Sequence, residues 1–316
     1  MNRIRLALIG AGSHCRGNHA PAMAKYASEH PDQLELAAVC DLQREKAESF
    51  ADAFGFKAVY TDHLEMIDKE KPDGCVCVMP IALTAALAID LMKRGMPVTV
   101  EKPMGFTLAE IQGIVKTAEE TGTPNMVSTN RRFDPLLCRG TQWAREQGDF
   151  RYVRGSILRH NRREPEFMSG TAFHSIDALR EIGGDIASYE SWRHDGEPHW
   201  FHVVFTYDSG ALGSLDVLPS DGSVEERYEI FGEGFRVDVR AGTGPNPAIR
   251  CWKDNKLILD EQTPADQPSF ISVGAYAETV EFVTALMEKR PPYPSVGQVY
   301  PSADMAFKLD PSKPEK

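Results

Sequence analysis

The apolar positions of the first 130 residues alternate between two rhythms. "IRLALIG" (residues 4–10) is a continuous apolar run closing on glycine, the pattern of a strand buried on both faces. A helical stretch from about Asn18 to Ser28 follows it, and "LELAAVCD" reads as the second strand. "QREKAESFADAFG" has helical periodicity and stops at Gly55; "AVYTD" is a short strand, "HLEMIDKEK" a helix and "GCVCVMP" a strand. "LTAALAIDLMKRG", "PVTVEKP", "TLAEIQGIVKTAEETG" and "NMVSTN" continue the alternation. Strands separated by helices of this length predict a doubly wound parallel sheet covered on both faces.

After about Asn130 the pattern changes. One more helix, "PLLCRGTQWAREQG", precedes a succession of strand-like segments: "FRYVRGSILRH", "WFHVVFTYD", "GALGSLDVLP", "ERYEIFGEG", "FRVDVRAG" and "IRCWKDNKLILDE". Glycine turns such as "DSG" and "GEG" suit antiparallel hairpins. The helix "GAYAETVEFVTALMEKR" closes this half, and the polar "DPSKPEK" is expected to fray. The expected architecture is α/β. Residues 1–128 form a dinucleotide-binding Rossmann domain. Residues 129–316 form an α+β domain for substrate binding and oligomerisation, with an open, mainly antiparallel sheet.

Composition narrows the class. The 316 residues are 42% hydrophobic and 26% charged, as in globular proteins, and the formal charge of −11 argues against a nucleic-acid partner. No apolar run is long enough for a membrane span, and "MNRIRLALIGAG" reads as a first strand rather than a secretion signal. Cysteines at 15, 40, 75, 77, 138 and 251 have no disulfide-framework spacing. Cys75 and Cys77 read as buried strand, no ligand spacing predicts a metal site, and the cytoplasm is the expected compartment.

Candidate chemistry begins at "LALIGAGSHCRGNH". Gly10 permits the tight turn after the first strand, and Gly12 lets backbone approach a pyrophosphate at the helix start, beside Ser13 and His14. Cys15 stands where the third glycine of the fingerprint belongs. Asp41, at the end of strand two, can accept from the adenosine ribose and would repel a 2′-phosphate, favouring NAD; nearby Arg44 keeps NADP as the alternative. Glu101 and Lys102 end a buried strand, where an open parallel sheet presents its ligand crevice.

These residues resemble the Gfo/Idh/MocA oxidoreductases, which include glucose–fructose oxidoreductase and inositol dehydrogenase. The resemblance rests on "IGAGSHCRG", "AAVCD", "EKP", "NRRFDP" and "HSID", in the family's order over about 180 residues. It implies that Lys102 contacts the nicotinamide ribose and the reacting hydroxyl, and that His174 is the acid/base. It also puts Glu101, Met79 and Pro80 at the cofactor, although Met79 and Thr84 depart from the family's usual residues. Arg131, Arg159 and Asp177 are the expected substrate contacts, and Arg162 or Arg163 reaching the cleft would favour an acidic sugar.

One departure concerns the chemistry directly. The family commonly carries an aspartate four residues before the histidine, and this chain has Gly170 there. Three functions stay open. The first is an NAD-dependent oxidoreductase acting on a secondary hydroxyl or ketone of a sugar, cyclitol or related polyol. The others are an NAD-using glycoside hydrolase of the same family and a catalytically silent dinucleotide-binding regulatory protein. A homodimer or homotetramer through the C-terminal sheet is the assembly the resemblance implies.

Overall fold

The computed structural model describes residues 3–313. The chain divides into two compact units: one runs to Thr129 and includes Ala275–Pro301, and the other comprises Asn130–Gly274 and the chain from Ser302.

The first unit is built on β1 (Ile4–Ile9), β2 (Leu34–Cys40), β3 (Ala58–Tyr60), β4 (Gly74–Cys77), β5 (Val98–Glu101) and β6 (Asn125–Ser128). They lie in the order β3-β2-β1-β4-β5-β6 with every pairing parallel. Parallel neighbours need crossovers. Helices α1 (Ser13–Gly17), α2 (His19–Glu29), α3 (Arg44–Phe54), α4 (His63–Glu70), α5 (Ile81–Lys93) and α6 (Leu108–Thr121) supply them. Leu6, Leu8, Val39, Val98 and Val100 are excluded from solvent, as expected for strands covered on both faces. Local caps fix helix starts. Asp62 accepts from the amides of Leu64 and Glu65, and Thr107 and Glu110 form a reciprocal capping box. Strand order reverses between β1 and β4, where such sheets open their ligand crevice.

The second unit starts with a 3-10 turn, Asn130–Phe133, and α7 (Pro135–Gln147). Next come β7 (Phe150–Leu158), a π-helical turn at Met168–Ala172 and α8 (Phe173–Gly183). Seven strands follow: β8 (Ile186–Arg193), β9 (Phe201–Tyr207), β10 (Leu212–Leu218), β11 (Glu225–Gly232), β12 (Phe235–Arg240), β13 (Ala248–Lys253) and β14 (Lys256–Gln262). A short α9 (Ser269–Ser272) ends the run. The sheet order is β14-β13-β12-β11-β7-β10-β9-β8, antiparallel except where β7 and β10 run parallel. Helix α8 packs tightly on β7, where a Cβ at Gly155 would press into Leu179.

Helix α10 (Ala275–Glu288) belongs with the first unit, whereas the sequence pattern had assigned it to the second. Phe282 and Leu286 fill the space beside Gly74 of β4, and Ser128 donates to Glu278 at 3.0 Å. An amphipathic pattern says that a helix covers a core but not which one. The unit boundary then falls within α11 (Val296–Leu309), just after Pro301. Two of the longer elements, α11 and β8, escaped the sequence reading, and "IRCWKDNKLILDE" holds two strands, β13 and β14. In α11 the internal proline hid the periodicity, and β8 is mostly solvent-exposed, so it lacks alternation. Asp310, expected in a frayed tail, is buried; residues 314–316 of that tail lie outside the described residues.

Buried charge organises the second unit. Glu226 of β11 has no exposed surface and accepts two bonds from Arg131, at 2.8 and 2.6 Å, and a further one from Arg159. Burial by itself would raise the Glu226 carboxyl, but the two guanidinium groups bring it down to about 2. A carboxylate lowered in the folded state stabilises it above the ordinary value near 4.5, and that contribution fades as pH falls from there towards about 2. Replacing Glu226 by Gln strands two buried cations, so stability at neutral pH should fall by about 3–5 kcal/mol. Urea denaturation at pH 7 and pH 3 checks this, because the difference between wild type and variant should narrow at the lower pH.

Candidate active site

The first unit places its candidate residues at the carboxyl ends of β1, β2, β4 and β5. Gly10 has φ +101°, and a Cβ there would overlap the carbonyl oxygen of Val78 after β4. The turn therefore admits only glycine. Gly12 is the extended residue before α1, and a Cβ on it would meet nothing within 4 Å. Gly12, Ser13 and His14 are exposed, which fits a pyrophosphate approaching backbone amides. Met79 lies against Gly10, and Pro80 precedes α5. Cys15, at the third glycine's place, is buried, and burial raises its thiol far above the ordinary range.

Asp41 does more than end β2. Its carboxylate accepts from the amide of Ala11 at 2.8 Å and from that of Gln43 at 2.9 Å, so it braces the glycine turn from the end of the neighbouring strand. Each oxygen keeps a lone pair for a ribose hydroxyl. Arg44 is engaged by Glu48 at 2.9 Å.

Glu101 is the centre of this cluster. It is buried at the end of β5 and accepts from His19 at 2.5 Å, from the Lys102 amide at 3.0 Å and from His14 at 3.3 Å. Burial would raise its carboxyl, and the bonds from His14 and His19 hold it well below the carboxylate range instead. The glycine turn and the Lys102 backbone are thereby tied through one charge. Lys102 is half-buried, and its bond to Pro103 is cis. Sequence spacing predicted no metal cluster; the fold nevertheless brings donor atoms of His14, His19 and Glu101 within 4.8 Å of one another.

In the second unit His174 is buried in the first turn of α8, its ring edge-on to Phe173. The next residue, Ser175, meets the Tyr228 hydroxyl at 3.1 Å, and Tyr228 donates to Glu226 at 3.4 Å. The buried ion cluster thus anchors the backbone that carries the histidine. Asp177 is not aimed at His174. Its oxygens take two bonds from Arg132, both at 2.8 Å, and one from Ser302 at 2.7 Å. Arg131 and Arg159 are committed to Glu226. These three expected substrate contacts are tied up in internal ion pairs.

The π-helical turn changes the meaning of Gly170. Counting back four residues assumes α-helical geometry, but this turn is a residue wider, which brings Ser169 nearer the face one turn before His174. Nothing lies within 4 Å of a Cβ at Gly170. Asp310 comes from the far end of the chain to accept from the Ser169 amide at 2.9 Å. Its other oxygen accepts from the amide and hydroxyl of Ser312. The D-x-S pattern of that turn was its only sequence signal.

The profile of the Gfo/Idh/MocA oxidoreductases, described as an oxidoreductase family with an NAD-binding Rossmann fold, matches residues 4–129. A 4-carboxy-2-hydroxymuconate-6-semialdehyde dehydrogenase of Sphingobium sp. is 30% identical over 316 residues, covering 94% of this chain and 94% of its own. The chain belongs to the Gfo/Idh/MocA oxidoreductase family. Among other family relatives, the myo-inositol 2-dehydrogenase of Thermotoga maritima is 23% identical over 253 residues, 73% of this chain and 72% of its own. A levoglucosan dehydrogenase solved with NADH and levoglucosan shares the fold at TM-score 0.81 and 18% identity, covering 96% of each chain. Like these dehydrogenases, the protein is an enzyme of the oxidoreductase class.

The two glycines of this Gfo/Idh/MocA chain should separate under mutation. Gly10→Ala meets both strain and overlap, and should cost about 1–3 kcal/mol of stability. Gly12→Ala should leave the melting temperature unchanged while weakening dinucleotide binding roughly tenfold or more, about 1.4 kcal/mol. Thermal melts and NADH fluorescence titrations read the two effects separately.

Proposed function

We propose that the protein is an NAD-dependent oxidoreductase that moves a hydride to or from a secondary hydroxyl or ketone of a sugar, cyclitol or related polyol. The observation that carries this reading is Lys102 at the carboxyl end of β5, its backbone fixed by the same Glu101 that binds the glycine-turn histidine. The dinucleotide, when bound, supplies the two-electron hydride acceptor or donor. In oxidation the carbinol carbon gives up its hydrogen with the electron pair, the hydroxyl proton passes to the imidazole of His174, and the carbon–oxygen double bond forms. Lys102 orients the reacting oxygen and stabilises its developing negative charge. Asp41 at the end of β2, together with the engagement of Arg44 by Glu48, supports NAD over NADP.

The substrate class rests on relatives. The inositol and levoglucosan dehydrogenases point to cyclitols and sugars, and the Sphingobium relative, similar over nearly the whole chain, is named for a carboxylated semialdehyde. Exposed Tyr189, Trp192 and Leu212 on the sheet of the second unit support assembly through that sheet as a homodimer or homotetramer. No helix among the described residues is long and apolar enough to cross a membrane. Gly170 favours a second reading, a silent dinucleotide-binding protein.

The decisive experiment follows NADH absorbance and product release across a panel of polyols, sugars and model glycosides. Steady NADH formation is expected. His174→Ala should lower kcat/KM by roughly 10²–10⁴-fold with the NAD dissociation constant unchanged. Lys102→Ala should lower kcat by roughly 10²-fold or more. Glycoside cleavage without net NADH would favour the hydrolase, and tight NAD binding with neither product would favour the silent protein.

A further inference from the structure

We infer that the loop between β7 and α8 carries an anion anchor, Arg162 with Thr171 beside the opening at Gly170, and that the substrate handled next to His174 is a carboxylate-bearing polyol or hydroxy acid. This inference rests on the oxidoreductase reading above and narrows its substrate class.

Three arginines stand in this loop and its entry, and the structure separates them. Arg159 is consumed by Glu226 and by the carbonyls of Leu158 and Glu225. Arg163 turns its Nε to Asn161 at 3.3 Å. Arg162 is different. Its Nη2 donates to the Thr171 hydroxyl at 3.3 Å and pairs with Glu164, and its Cζ lies 5.8 Å from the centre of the buried Phe167 ring. The head group is therefore positioned by neighbours, yet the side chain is 46% exposed. All its hydrogen bonds and ion pairs among the described residues run through Nη2, which leaves Nε and Nη1 as donors for an incoming oxyanion.

Its location links the anchor to the chemistry. Thr171 lies three residues before His174, within the π-helical turn that leads into α8, and is half-buried, as is Gly170. A carboxylate held by Arg162 and Thr171 would enter the space where Gly170 has no side chain. A carbinol on the adjoining carbons would then be within reach of the histidine. An acidic side chain at position 170 would repel such a substrate, so the glycine and the arginine serve the same specificity.

Charge also selects the anion. Residues 159–166 hold three arginines and two glutamates in a chain of net −11, and the Arg159 charge is already met by Glu226. Glu164 already neutralises part of Arg162. A monoanionic carboxylate matches the two remaining donors of one guanidinium; a phosphate dianion would ask for more donors and more positive charge than this loop holds.

The test is steady-state NADH formation by the full chain on matched compounds: gluconate, glucuronate and tartrate against glucose and sorbitol, with glucose 6-phosphate as a third class. The acids should exceed their neutral counterparts about tenfold or more in kcat/KM. Arg162→Ala should reduce the acid-to-neutral ratio by about 10- to 100-fold, chiefly through KM, the range expected for a charge-assisted hydrogen bond. Arg162→Lys should restore part of the ratio, and Gly170→Asp should lower it as well. Equal turnover of acids and neutral sugars, preference for the phosphate, or an unchanged ratio in Arg162→Ala would overturn the anchor and leave the oxidoreductase reading standing. If NAD binds but no compound is oxidised, the oxidoreductase reading falls. Calorimetric titration of the NAD-bound protein with tartrate then decides the anchor alone: binding lost in Arg162→Ala sustains it, and no binding to wild type overturns it.

Discussion

A carboxylate taken out of water has to be met by donors, and each unit of this protein is organised around one such group. Glu101 in the first unit and Glu226 in the second are both held as anions against the cost of burial. The donors come from far along the chain. Glu101 gathers His19 from 82 residues away and His14 from 87, and Glu226 gathers Arg159 from 67 and Arg131 from 95. Each charge therefore sets the register between distant segments as well as contributing energy. Those segments include the ones to which the proposed function gives chemistry: the glycine turn and Lys102 in one unit, the start of α8 in the other.

This arrangement explains which residues could be read from the sequence. Strands β1 to β6 and their crossover helices follow from local periodicity and glycine stops, because a buried parallel strand announces itself within six residues. The strand-end positions of Gly10, Gly12, Asp41 and Lys102 were legible for the same reason, and strand ends in a doubly wound sheet are where ligands generally bind. The internal partners of Arg131, Arg159 and Asp177 were not legible, because a charged side chain carries no local signal of its partner. Their spacing gave no hint that Glu226, Arg132 and Ser302 would claim them. Helix α10 was recognised as a helix and placed in the wrong unit, since periodicity records that a face is covered and not by what.

The His174 segment shows a subtler limit. Residue counting treats a helix as uniform, and the π-helical turn at Met168–Ala172 breaks that assumption at the position where the count mattered. Such turns insert one residue without leaving a compositional mark, and they recur at functional sites because they re-aim the side chains that follow. Asp310 was hidden differently. It lies in a polar, proline-containing stretch that looks like a tail, and it is buried only because α11 returns the chain to the Ser169 amide.

Together these features bear on whether the segment is altered or silenced. Loss of function leaves no reason for the surroundings to stay ordered around a deleted group. Here the neighbourhood of Gly170 keeps its constraints. Ser175 ties α8 to the ion cluster through Tyr228, Asp310 holds the π turn from behind, and Phe167 and Thr171 steady the Arg162 head group. Holding an exposed arginine next to an opening costs side-chain entropy. A protein that only bound a dinucleotide would gain nothing from that cost. A site that had exchanged a fixed carboxylate for one carried by its substrate would recover it in every binding event, because a preorganised guanidinium loses little more freedom when the anion arrives.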